Sequence, residues 1–375
     1  MPYRDFAVEY PPLALPVFAA PSLFGGGYAA YEPRFEVLMG LAGAATAALA
    51  VLVLSRFGVP SWRLALAALF ATVVPLVAPV LVLSRYDLWP ALLVIGALAA
   101  LLAGRDRLAF GVLGLAVAAK VYPVVILPIA ASFVWRRAGR RQALVCIAVC
   151  IATVALCFAP FALAAPNGLW QSIHEQAARP LQLETLGASL MLASHQLLGS
   201  HLALLVSHHS YNLGGGTAAG LASILGVVQI VALLAVWLLF AAGPSTRQRL
   251  LIASAASVCT FIVFNRVLSP QYLLWLVPLV IALPGRRGVV GLLLLAASLL
   301  VTRLWYPFHV PPLEHFATRE SWLVIIRNGL LLALLGTLLW PELYRLMASR
   351  ASRAPTLSSG PAPSLSAPAL IDGRP

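Results

Sequence analysis

Long apolar runs separated by short polar knots dominate the chain, at about 36–56, 63–83, 88–104, 142–164, 218–242, 249–264, 271–284, 288–303 and 321–340. Such runs lack the alternation of a barrel strand, and in hydrocarbon they satisfy their backbone groups only as helices. They predict nine membrane spans and an all-α, polytopic helical membrane protein. The stretch 108–134 breaks the series. Arg105 and Arg107 precede it and Arg136 and Arg137 follow it, and arginine-rich connectors stay cytoplasmic. Both of its ends therefore belong on one side. Its middle reads Ala119-Lys120-Val121-Tyr122-Pro123, and proline removes a helix donor at the point where the chain must reverse. A re-entrant hairpin of two short helices meeting within the bilayer is expected, with one long kinked helix as the competing arrangement.

Composition strengthens the membrane reading. Only 10% of residues are charged, where a soluble domain carries about a quarter. The net charge of +13 arises mainly from Arg56/Arg63, Arg105/Arg107, Arg136/Arg137/Arg140/Arg141, Arg247/Arg249, Arg286/Arg287 and the tail arginines 345, 350, 353 and 374. These are expected inside, beside anionic membrane lipid. No basic-aromatic pattern points to nucleic acid. The opposite face receives 1–35, Arg85-Tyr86-Asp87, the loop 165–217, the knot 265–270 and the loop 304–320. With Glu36 at its edge, it collects nine of the twelve acids and all seven histidines.

The expected organisation is an extracytoplasmic loop over 1–35 with an interfacial segment at Tyr10–Phe18, a transmembrane domain over 36–344, and a disordered cytoplasmic tail over 345–375. That tail is rich in Pro, Ser and Ala. Cys146, Cys150, Cys157 and Cys259 fall inside predicted spans and read as packing residues. Neither a disulfide framework nor a metal site is indicated, and no cofactor is expected.

Four clusters carry candidate chemistry. Asp5 and Glu9 sit on a proline-pinned loop, and Arg85-Tyr86-Asp87 lies where two spans meet. Lys120 is the single lysine beside 24 arginines, and an ionisable group at membrane depth needs a partner or a wet cavity. The fourth cluster joins Arg179 to Leu186, Asn265 to Tyr272, and Arg327-Asn328. Separated arginines facing one aqueous side suit a phosphate-bearing ligand. Wet interfacial charges, helix caps and headgroup anchors are the structural alternatives.

The strings RDFAVEYPPLALP (4–16), RYDLWPALL (85–93), GLAVAAKVYPVVILP (114–128), RPLQLETLGASL (179–190) and SPQYLLWLVPLV (269–280) resemble glycosyltransferase family 87, membrane enzymes of the C-type (GT-C) superfamily. The resemblance implies transfer of a hexose, typically mannose, from a polyprenyl-phosphate-linked donor to an extracytoplasmic lipid or glycan acceptor, with inversion. The protein would be a multi-pass cell-membrane enzyme with its active side extracytoplasmic. Asp5, Glu9 and Asp87 become candidates for the catalytic acid. Lys120, Arg179, Arg266 and Arg327 would hold the donor phosphate, and Gln182, Glu184, Gln271 and His315 would contact sugar or acceptor. Family members carry a helix ahead of the first loop and a favoured Asp upstream of the RDFAVEYPP-like string, and this sequence shows neither. Three readings remain: Asp5 or Glu9 substitutes, the true start lies upstream, or the member is inactive. A transporter or flippase of lipid-linked sugar is the competing class.

Overall fold

The computed structural model describes residues 1–351. Each of the nine predicted spans coincides with helix. Among the described residues six helices are long and apolar enough to cross a membrane: Gly27–Ser55, Tyr122–Ala164, Gly216–Ala242, Arg247–Phe264, Gly285–Arg303 and Thr318–Glu342. Runs 63–83, 88–104 and 271–284 form the shorter helices Ser61–Val77, Leu88–Leu102 and Leu273–Ile281. The fold is that of an all-α, polytopic membrane protein.

One boundary differs from expectation. The first long helix starts at Gly27, after Gly26 in the left-handed conformation, and runs through Pro33. Its first turns carry Glu32 and Arg34, so the apolar run marks only part of the helix. The chain separates into Met1–Leu339 and Trp340–Pro375. The second unit is helical to Ala351, within the helix Thr318–Ala351, and the rest of the expected tail, 352–375, lies outside the described residues.

The reversal falls where the proline placed it. Helix Asp106–Ala119 ends at Lys120, whose backbone is extended, and a 3-10 turn over Tyr122–Ile126 starts the return. Arg137 then pairs with Asp106 and donates to the Leu101 carbonyl, which closes the hairpin with both ends on one side. Gly139, at φ 85°, turns the chain again. The following stretch packs Cys150 and Thr153 against Gly114. Helix Leu88–Leu102 runs toward this same end, so Lys120 lies level with Asp87 at the opposite one.

That geometry also gathers the arginine connectors. Arg63 donates to the carbonyls of Leu283 and Ile281, Arg136 to those of Ala241 and Gly243, and Arg249 to those of Leu239, Phe240 and Pro244. The last carbonyls of a helix have no intrahelical donor, and these guanidiniums supply one. Gly288 makes the Arg63 contact possible, because a Cβ there would stand 2.0 Å from the Leu283 oxygen.

At the other end lies a second, smaller core of Leu181, Leu183, Leu192, Leu213, Trp305 and Leu313 among others. It sits under a three-stranded sheet: β1 (Leu181–Gln182), β2 (Leu204–Ser207) and β3 (Ser210–Leu213), in the order β1-β3-β2. Both pairings are antiparallel, with Leu181 opposite Leu213 and Ser207 opposite Ser210. The loop 165–217 also holds the helices Pro166–Ala177 and Leu186–Leu198. Gln196 donates to the Phe316 carbonyl, which ties this loop to the one after Arg303. Residues Pro12–Phe24 form three short helical turns.

Candidate active site

The site is built where two antiparallel helices exchange ends. Asp87 lies at the N-terminus of Leu88–Leu102, and Lys120 caps the C-terminus of Asp106–Ala119. Each charge thus suits its own helix dipole. The two also pair with one another, Lys120 Nζ donating to Asp87 Oδ1 at 2.6 Å. Trp275 Nε1 donates to the same oxygen at 2.6 Å. The Asp87 side chain is 1% exposed and that of Lys120 13%, so their desolvation is offset by this pairing. Three rings complete the ammonium's surroundings, with centroids of Tyr86, Trp275 and Tyr272 at 4.7, 5.1 and 5.3 Å. Trp275 is itself stacked against Tyr122 and Tyr272, each at 4.0 Å. Cation–π contact and stacking each add about 0.5–1.5 kcal/mol.

Arg85 stands at the exposed rim of this core and donates to the Tyr306 hydroxyl at 2.8 Å. The ring of Tyr10 meets Tyr86 edge to face at 5.0 Å. Its hydroxyl is held above the usual tyrosine range by burial first and by the Asp87 charge next, with Arg85 opposing. Glu9 and Arg179 act on the same hydroxyl, so four charged side chains converge on Tyr10.

The fourth sequence cluster closes the other wall, and its three separate strings meet. Gln182 receives a hydrogen bond from Leu268 N at 3.1 Å, and its own backbone N–H donates to the Arg266 carbonyl. Its amide donates to Glu184 Oε2 at 3.1 Å. Arg327 and Asn328 both donate to the Glu184 carbonyl oxygen, at 2.7 and 3.1 Å. Arg327 is fully buried, and its Nε and Nη1 have no hydrogen-bond partner among the described residues. Burial pushes the Glu184 carboxyl up to about 7, against the lowering fields of Arg327 and Arg85. Arg85 therefore acts on both Glu184 and Asp87, which makes one site of the two walls.

The other candidates are placed as follows. Glu9 accepts from His209 at 2.8 Å. His208 and His209 form the β2–β3 turn with both φ at 51°, a left-handed geometry that His, with Asn and Asp, adopts more readily than most residues other than Gly. Arg179 donates to the His208 carbonyl at 2.7 Å and holds that turn. The Arg266 side chain lies against Gly226. Gln271 is half-buried in the Pro270–Tyr272 turn. His315 is exposed and its Nδ1 is 2.8 Å from the Pro311 carbonyl. Asp5 is exposed and paired with Arg4, whose hydrogen bond holds its carboxyl well below the usual range. It joins none of the contacts around Asp87 or Glu184.

Sequence reasoning gave no role in the site to Arg85 or Tyr272, although both lie in its candidate clusters, and none to Tyr10, Trp275 or Tyr306. A signal existed for two of them: Tyr272 and Trp275 are three apart at a helix start, which puts both on one face.

The profile of glycosyltransferase family 87 matches residues 8–270. The chain belongs to glycosyltransferase family 87. The match spans Glu9, Asp87, Lys120, Arg179, Glu184 and Arg266 and ends at Pro270, so the Trp275 stack and Arg327 lie beyond it. No curated protein matches the chain at a significant level. Membership gives this multi-pass membrane protein glycosyl transfer as its activity, with a lipid or sugar donor and an acceptor as its substrates.

Proposed function

We propose that this family 87 glycosyltransferase moves a hexose, mannose on the family resemblance, from a polyprenyl-phosphate-linked donor to a lipid or glycan acceptor with inversion. One observation carries the reading: the Glu184 carboxylate, held by the Gln182 amide, is pushed up to about 7 by burial against the lowering fields of Arg327 and Arg85, and Arg85 also acts with Asp87 of the Asp87–Lys120 pair. A base whose pKa lies near the working pH combines adequate ionisation with a useful affinity for the proton. The acceptor hydroxyl oxygen attacks the anomeric carbon as its proton passes to Glu184. The bond from that carbon to the phosphate oxygen breaks, and its electron pair leaves with the polyprenyl phosphate. A phosphate leaving group needs positive charge rather than a strong acid. Arg85, Lys120 and Arg179 supply it, with Arg266 and Arg327 holding the wall behind them.

Asp87 acts as a positioning residue in this scheme, since both its known partners are donors that it fixes. Gln182 orients Glu184, while Gln271 and His315 are candidates for sugar hydroxyls. Glu9 approaches the same space with His209. Because the arginine-bearing end belongs in the cytoplasm, the Asp87 end is extracytoplasmic and the protein sits in the cell membrane.

The test uses membranes containing the protein and labelled polyprenyl-phosphate-mannose. The expected result is donor consumption, with label appearing in an acceptor in the opposite anomeric configuration. Donor that crosses liposomes unconsumed would replace this reading with that of a flippase.

A further inference from the structure

At the arginine-bearing end a cavity of about 160 Å³ opens between the last turns of Gly27–Ser55 and Leu88–Leu102 and the start of Arg247–Phe264. Leu49, Leu52, Val53, Phe57, Ala99 and Leu102 give it an apolar wall, and Arg56 and Arg247 contribute two guanidiniums. No carboxylate lines it. Both arginines are exposed. They differ from Arg63, Arg136, Arg137 and Arg249, which are engaged with helix carbonyls or Asp106. Neither Arg56 nor Arg247 is in an ion pair among the described residues. Arg247 also opens an 18-residue helix, and the positive end of that helix dipole favours an anion beside it.

We infer that this cavity is a binding site for one anionic phospholipid of the inner leaflet. The headgroup phosphate lies between Arg56 and Arg247, and the first part of an acyl chain lies against the leucine wall. The two halves of the cavity match the two halves of such a molecule. A guanidinium binds phosphate through paired donors, and a cavity of roughly this size accepts a benzene-sized apolar guest. The site is at the opposite end from Asp87 and shares no residue with the proposed transfer machinery. Its occupation fixes the ends of three helices that frame the hairpin.

The experiment is native mass spectrometry of the full-length protein in detergent, titrated with dioleoyl phosphatidylglycerol or dioleoyl phosphatidylcholine. The expected result is selective retention of one phosphatidylglycerol. Arg56→Ala/Arg247→Ala weakens that retention roughly tenfold or more, since each basic residue near an anionic surface contributes about 1 kcal/mol. Arg56→Lys/Arg247→Lys keeps part of it, because charge is preserved and the paired donors are lost. Ala99→Phe, which fills the wall and leaves both charges, weakens it as well. Equal retention of the two lipids would overturn the proposal, as would an unaltered Ala or Phe variant. Displacement of the lipid by an equal concentration of inorganic phosphate would show an anion site with no lipid seat and would also overturn it.

Discussion

The two ends of the bundle use the same cationic chemistry in opposite ways. At one end, Arg63, Arg136 and Arg249 point their guanidiniums at main-chain carbonyls where helices stop. At the other end, Lys120 meets the carboxylate of Asp87, Arg85 meets the Tyr306 hydroxyl, and Glu184 lies in the fields of two arginines. A main-chain carbonyl fixes a guanidinium in place, and it does so for Arg179 and Arg327 at the second end as well. Side chains that meet side chains form a surface whose charges can be redirected to a substrate. The contrast assigns anchoring to one end and chemistry to the other.

Removing the acceptor at the centre of the second end has the largest effect. Asp87→Ala leaves a buried ammonium and the Trp275 N–H without their partner, at a cost of about 3–5 kcal/mol. Thermal unfolding of the purified protein should show this loss, and transfer should fall with it. Next comes Arg85→Ala, which removes an exposed guanidinium without opening the core. A charged hydrogen bond contributes about 1.5–3 kcal/mol, so the KM for a phosphate-bearing donor should rise by roughly tenfold or more, with unfolding unchanged. Arg63→Met is the mirror test at the anchoring end. It leaves the Leu283 and Ile281 carbonyls unmet, at about 1–3 kcal/mol. Stability should drop, and transfer per folded molecule should stay at the wild-type rate. The smallest effect belongs to Asp5→Asn, which touches an exposed acid away from both walls; its transfer rate should match wild type within error.

Much of this division was legible in the chain. Hydropathy and arginine placement gave the spans, and Pro123 with the flanking arginines located the hairpin, because both signals follow from local chemistry. The clustering of 179–186, 265–272 and 327–328 was foreseen as three strings at one rim, and the hydrogen bonds of Gln182 and Arg327 join them. What sequence did not show was how each residue would be engaged. Lys120 stood out as the lone lysine, but its pairing with Asp87 requires that two helices run antiparallel for nearly equal lengths. The sheet in 165–217 was missed because its strands are two to four residues long, too short for a period of two to register. Trp275 was hidden inside an apolar run that reads the same whether it packs against lipid or against an ammonium. The gathering of Glu9 with His209 depends on a two-residue left-handed turn at His208-His209, which carries none of the Asn-Gly or Asp-Gly signals that mark such a turn.

Glu184 offers the most direct test, through its titration. Its carboxyl is raised from an ordinary value of 4.5 to about 7, so the folded state holds the proton more tightly than the unfolded one. Two effects follow in the same window. The stability contributed by this group is fully present below pH 4.5 and is lost as pH rises toward 7. Transfer runs the other way, because a base must be ionised, so kcat/KM should rise through pH 7 and level off above it. The decisive measurement is the pH profile of kcat/KM for mannose transfer by wild type and by Glu184→Gln. The account predicts a wild-type limb near pH 7, and a variant slower by about 10²–10⁴-fold with that limb gone. A variant that keeps both the limb and the rate would contradict it and move the base to the Glu9–His209 pair.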